Sequence, residues 1–129
     1  MNKLKLPLFF AFALTLTIIG CRANPVYNVE GAPITISGKH TNKDVEKSII
    51  RAGASLGWKI KRIKDGHLVG TLYIRKHVAI VDITFNKKTY NITYKSSQNL
   101  NYDGSTIHNN YNGWVQNLDR AIQSQFQTL

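Results

Sequence analysis

Trp58-Lys-Ile-Lys-Arg-Ile-Lys-Asp-Gly-His-Leu-Val-Gly-Thr-Leu-Tyr-Ile-Arg-Lys-His-Val-Ala-Ile-Val-Asp-Ile-Thr-Phe-Asn-Lys-Lys-Thr-Tyr-Asn-Ile-Thr-Tyr-Lys95 decides the fold of this chain. Its hydrophobic period is two, and turn signals interrupt it about every ten residues. Asp65-Gly66 is a tight-hairpin dipeptide, Arg75-Lys76 a second break and Asn86-Lys87-Lys88 a third. Four strands result, from Trp58 to the Asp65-Gly66 turn, from Leu68 to Ile74, from Val78 to Phe85 and from Thr89 to Lys95. In the last, Tyr90, Ile92 and Tyr94 face one side and Thr89, Asn91, Thr93 and Lys95 the other. Such alternation predicts an antiparallel meander with one covered face.

The cover lies on either side of the meander in sequence. Upstream, Val45, Ile49, Ala52 and Leu56 recur at helical spacing behind Thr41-Asn-Lys-Asp44, a Thr-x-x-Asp cap, which predicts a helix over 42–56 with Gly57 as its stop. Downstream, Trp114, Val115, Leu118, Ala121, Ile122 and Phe126 share one face of a helix predicted over 111–126. Ile34-Thr35-Ile36, between Pro33 and Gly38, reads as a short first strand. Two amphipathic helices and one amphipathic sheet hide their apolar sides together most simply as an α+β two-layer sandwich: a four- to five-stranded antiparallel meander with both helices on one face. Residues 33–129 are expected to form this single domain. The 129 residues leave no room for a second one, and a single Cys excludes an internal disulfide framework and any cysteine-based zinc cluster.

The first twenty residues have a different composition. Lys3 and Lys5 precede an apolar run, Leu6–Ile19, which is too short for a permanent span of about 20 residues and suits the core of an export signal. Ile18-Ile19-Gly20-Cys21 resembles the lipobox of bacterial lipoproteins. That resemblance implies cleavage before Cys21, a diacylglycerol on its thiol and an acyl anchor in the membrane. Residues 21–32 then read as the acylated Cys and a tether, since 22–32 lack a period and contain Pro and Gly. Arg22 is not the Asp that retains such proteins in the inner membrane, so the resemblance implies the outer membrane, with the domain on its periplasmic side.

Charge bears on partners. The chain carries 17 Lys and Arg against 7 Asp and Glu; losing Lys3 and Lys5 with the signal lowers the net charge from +10 to +8. Lys59, Lys61, Arg62 and Lys64 on the first meander strand, Arg75 and Lys76 on one turn and Lys87 and Lys88 on another are candidates for a basic surface. For an exported chain the matching partners are the membrane, anionic envelope components or another envelope protein, and not nucleic acid. Edge protection and solubility explain the same lysines without a partner.

The polar loop 96–114 is the other candidate. Tyr102, Asp103, His108, Tyr111 and Trp114 can stack on and hydrogen-bond a partner, and the loop's Asn, Asp and Ser equally favour local turns and helix caps. Asp103, Ser105 and His108 have the residue types of a hydrolase triad but no nucleophile-elbow context. His40, His67, His77 and His108 are scattered without metal-ligand spacing. The expectation is therefore a protein that is not an enzyme, with no catalytic residue, no metal and no cofactor. The alternative is a small hydrolase of peptidoglycan or another envelope substrate using Asp103 and His108.

Ala52-Gly-Ala-Ser-Leu-Gly-Trp58, the hairpins after it and Tyr94-Lys-Ser-Ser-Gln-Asn-Leu-Asn-Tyr-Asp-Gly-Ser-Thr-Ile-His-Asn-Asn-Tyr-Asn-Gly-Trp-Val-Gln-Asn-Leu118 resemble a group of small proteobacterial envelope lipoproteins of uncharacterised function. The resemblance implies an envelope location and an α+β fold, and brings no activity or catalytic residue with it.

Overall fold

The computed structural model describes Lys3 and residues 23–129; the apolar run Leu6–Ile19, Cys21 and Arg22 lie outside the described residues. In chain order come β1 (Ala23–Pro25), β2 (Val29–Pro33), α1 (Asn42–Ser55), β3 (Lys59–Lys64), β4 (His67–Ile74), β5 (His77–Phe85), β6 (Thr89–Gln98), β7 (Thr106–His108) and α2 (Asn109–Phe126). The fold is α+β: a five-stranded antiparallel sheet in the order β2-β6-β5-β4-β3, with a separate antiparallel pair β1-β7.

The meander forms where period and turns place it. Gly66 has φ +76°, and its carbonyl accepts from Phe85 N–H, 2.9 Å away. A Cβ at Gly66 would lie 2.9 Å from Phe85 O, so this turn admits glycine for both its conformation and its space. Opposite residues along the strands then share a face. Leu68, Ile83 and Ile92 align on the inner side, with Val81, Phe85 and Tyr90 beside them, all buried.

Both helices cover that inner face. Thr41 and Asp44 form a reciprocal capping box that starts α1, and the Thr41 N–H and hydroxyl hold the Asp44 carboxyl below its ordinary pKa. Val45, Ile49 and Ala52 of α1 join Val115, Leu118, Ile122 and Phe126 of α2 in one core. Gly53 marks where α1 meets the sheet, since a Cβ there would fall 2.7 Å from Ile60 Cγ1. Each large apolar side chain so buried contributes about 1.5–3 kcal/mol.

Two expectations need correction. Of the expected tether, residues 23–32 are not loose: 23–25 are β1 and 29–33 are β2. Strands of three and five residues are too short to show a period. Their partners also lie far along the chain, Ala23 opposite His108 and Val29 opposite Ile92. The Asn112 side chain accepts from Tyr27 N–H and donates to Pro25 O, fastening the link between the two strands to α2. The expected first strand at 34–36 is displaced to Val29–Pro33. Ile34 keeps one backbone bond to Lys88 O, and Ile34 and Ile36 pack on the core.

Candidate functional site

The 96–114 segment is more ordered than a polar loop. β6 continues to Gln98, and the chain turns through Asn99 and Asn101, both at positive φ, with Leu100 buried between them. Asp103 closes the next turn. One carboxylate oxygen accepts from the backbone N–H groups of Ser105 (2.9 Å) and Thr106 (2.7 Å), the other from the Thr106 hydroxyl (2.8 Å). The backbone bonds from Thr106 and Ser105 hold its pKa far below the usual carboxylate range. His108 ends β7 and caps α2, its Nδ1 accepting from Asn110 N–H at 3.2 Å. Asp103 is thus bonded to Ser105 and Thr106 and not to His108, whereas a triad needs the imidazole between carboxylate and hydroxyl.

Of the five residues proposed here for partner binding, Tyr111 is excluded from that role because it is fully buried, 0% exposed, with its ring edge-on to Tyr94 at 5.7 Å. It belongs to the inner face of α2, an assignment the neighbouring Asn residues obscured. Tyr102, 41% exposed, stacks on Tyr94 at 4.1 Å. Trp114 is half-buried, its ring 6.1 Å from His77, and borders a small cleft of about 80 Å³ with Leu56, Trp58, Leu72 and Ile74.

The eight basic candidates do not form one surface. Lys59, Lys61 and Lys64 lie on the open face of the sheet, opposite Thr71, Val69 and His67, with Lys59 Nζ 5.4 Å over the Tyr73 ring. Arg62, opposite the buried Leu68, has the parity of the covered face. Its Nε lies 3.0 Å from Glu46 Oε1 of α1, as an ion pair rather than an aligned hydrogen bond. Arg75 and Lys76 form the β4–β5 turn, and Lys87 and Lys88 the β5–β6 turn. The nine residues of β5 separate those turns by about 27 Å.

At the β5–β6 end the structure adds residues that the sequence reading left scattered. Gly38, Lys39 and His40, from the connection before α1, meet Lys87 and Lys88 around an open cleft of about 420 Å³. The His40 ring ties the two segments together, with Nε2 2.8 Å from Lys87 O and Nδ1 3.2 Å from Gly38 O. Lys39, Lys87 and Lys88 are all exposed. Lys39 and Lys87 are 48 positions apart, so spacing could not reveal the cluster; the flanking Gly38 and the Asn86-Lys87-Lys88 turn were its available signals. Among the described residues no three His, Cys, Asp or Glu side chains gather as metal ligands. His67 and Lys95 do meet Asp82 on the open face, at 2.7 and 3.7 Å.

No protein family, curated protein or solved structure matches this chain.

Proposed function

We propose that this chain is an acyl-anchored envelope lipoprotein whose domain binds a phosphate-bearing envelope component, without catalysis, at the cleft lined by Lys39, His40, Lys87 and Lys88. The cleft carries the reading: three exposed lysines line one open depression, and the His40 ring that joins its walls lies within hydrogen-bond distance of a backbone carbonyl at each nitrogen. Like charges grouped around one cleft attract polyanions more strongly than the same charges spread over a surface. The engagement of Asp103 in its own turn supports a binding role over the hydrolase alternative. The lipobox-like Ile18-Ile19-Gly20-Cys21 supports the anchor.

Two readouts test this. Cys21→Ser should abolish labelling with a palmitate analogue, and retained labelling would refute the anchor. In neutral vesicles, Lys87→Glu with Lys88→Glu should weaken binding of inorganic polyphosphate roughly tenfold, since each exposed charge contact is worth up to about 1 kcal/mol. Unchanged binding in a variant of unchanged Tm would refute the cleft.

A further inference from the structure

Strand β1 begins at Ala23, only two residues after Cys21. If Cys21 carries the acyl chains, covalent geometry allows Ala23 no more than about 7 Å from the anchoring residue. Ala23 pairs with His108, whose ring lies 6.2 Å from that of His77. His77 Nδ1 is 2.7 Å from Asn99 O, and the Asn99 side chain donates to Lys76 O, also at 2.7 Å. A continuous set of contacts therefore joins the point where the chain enters the domain to the β4–β5 turn. Short, cross-linked connections of this kind leave the domain little freedom to turn that end away from a bilayer.

The same end has the chemistry of a membrane interface. Arg75 and Lys76 are exposed. Tyr73, 61% exposed, stands on β4 just before the turn, and Leu56, 40% exposed, shares the small cleft with the half-buried Trp114. Cations beside partly exposed aromatic and aliphatic side chains match the headgroup region, where phosphates meet the acyl boundary. Asp103, an exposed acid near this end, has its carboxylate turned into its own loop by Ser105 and Thr106.

We propose that the β4–β5 end, with Arg75 and Lys76 at its tip, is seated on an anionic lipid surface beside the acyl anchor, so that the Lys39/Lys87/Lys88 cleft points away from the membrane. The proposal rests on the lipid-anchor reading and adds to it an orientation and a lipid-facing surface. It also uses two of the charges the cleft leaves over: one basic turn holds the membrane and the other, about 27 Å away along β5, stays free for a partner.

The acylated protein in phosphatidylcholine vesicles containing phosphatidylglycerol tests it. Gln98→Cys, at the seated end, and Lys87→Cys, at the far end, each provide a thiol for a fluorophore, and a headgroup-spin-labelled lipid serves as quencher. Quenching several-fold stronger at 98 than at 87 is expected. Arg75→Gln with Lys76→Gln should weaken this seating roughly fivefold per charge removed, with flotation unchanged. Equal quenching at the two positions in a protein that floats with neutral vesicles overturns the seating and leaves the anchor standing. Failure to float with neutral vesicles overturns the anchor reading, and the seating with it. Stronger quenching at 98 that is unaffected by Arg75→Gln and Lys76→Gln overturns the role given to the two cations.

Discussion

Two aromatic pairs hold α2 against β6, one toward each end of the domain, and their surroundings differ. Tyr90 and Phe126 meet edge to face at 5.8 Å, Tyr94 and Tyr111 at 5.7 Å. In the first pair the Tyr90 hydroxyl donates to Asp119 and accepts from Gln123 Nε2. Burial, with Asp119 beside it, pushes the Tyr90 pKa up, so the proton stays where it can be donated. In the second pair the Tyr111 hydroxyl is buried with no hydrogen-bond partner among the described residues. The same packing is thus completed by a polar network at the β5–β6 end and left incomplete at the β4–β5 end. The end with the unsatisfied hydroxyl is also the one proposed to rest on lipid.

Removing the ring at the completed end should have the largest effect. Phe126→Ala leaves a cavity under a fully buried pair and should lower unfolding free energy by about 3–5 kcal/mol, read by urea denaturation. A cost below about 1 kcal/mol would mean that α2 is not held there. The hydroxyls separate the pairs next. Tyr90→Phe should cost about 1–3 kcal/mol because Asp119 and Gln123 lose a buried partner, while Tyr111→Phe should change stability by less than about 0.5 kcal/mol or raise it. Equal losses would erase the distinction.

The smallest effect is local and depends on pH. Asp103 has a folded pKa below its unfolded value, so its contribution is complete above the unfolded pKa near 3.8 and fades as pH falls toward the folded value. Protection of the Ser105 and Thr106 amides, relative to their intrinsic exchange rates, should therefore persist through mildly acid pH in the wild type and be lost in Asp103→Ala. Similar protection in both would show that β7, and not the carboxylate, holds that turn.

The meander, α1 and α2 were legible because each contains its own signal over at least ten residues. Asp65-Gly66 and the Thr41–Asp44 box act between near neighbours, so a linear reading finds them. β1, β2 and β7 were not legible, because a three-residue strand has no period and is stabilised only by a distant partner, Thr106–His108 for Ala23–Pro25. Tyr111 was misread for a related reason. It stands among Asn109, Asn110 and Asn112, which favour turns, and only the packing of α2 on Tyr94 shows that it faces inward. The eight basic residues are exposed, and one of them, Arg62, pairs with Glu46. Their division between two ends follows from strand length and turn order, and the pairing of Lys87 and Lys88 with Lys39 required the connection before α1 to fold back.

The sequence by itself determined the α+β class and the order of the two long helices and four meander strands. Local periodicity, caps and turn dipeptides act over a few residues and are written in order along the chain. Only the tertiary structure decided that the 23–33 segment is bound to the domain, that Tyr111 is core, and that Lys39 and Lys87 share a cleft. Those outcomes depend on contacts between residues some 40 to 85 positions apart, such as Tyr27 with Asn112, whose formation rests on the burial of the whole sheet beneath its helices.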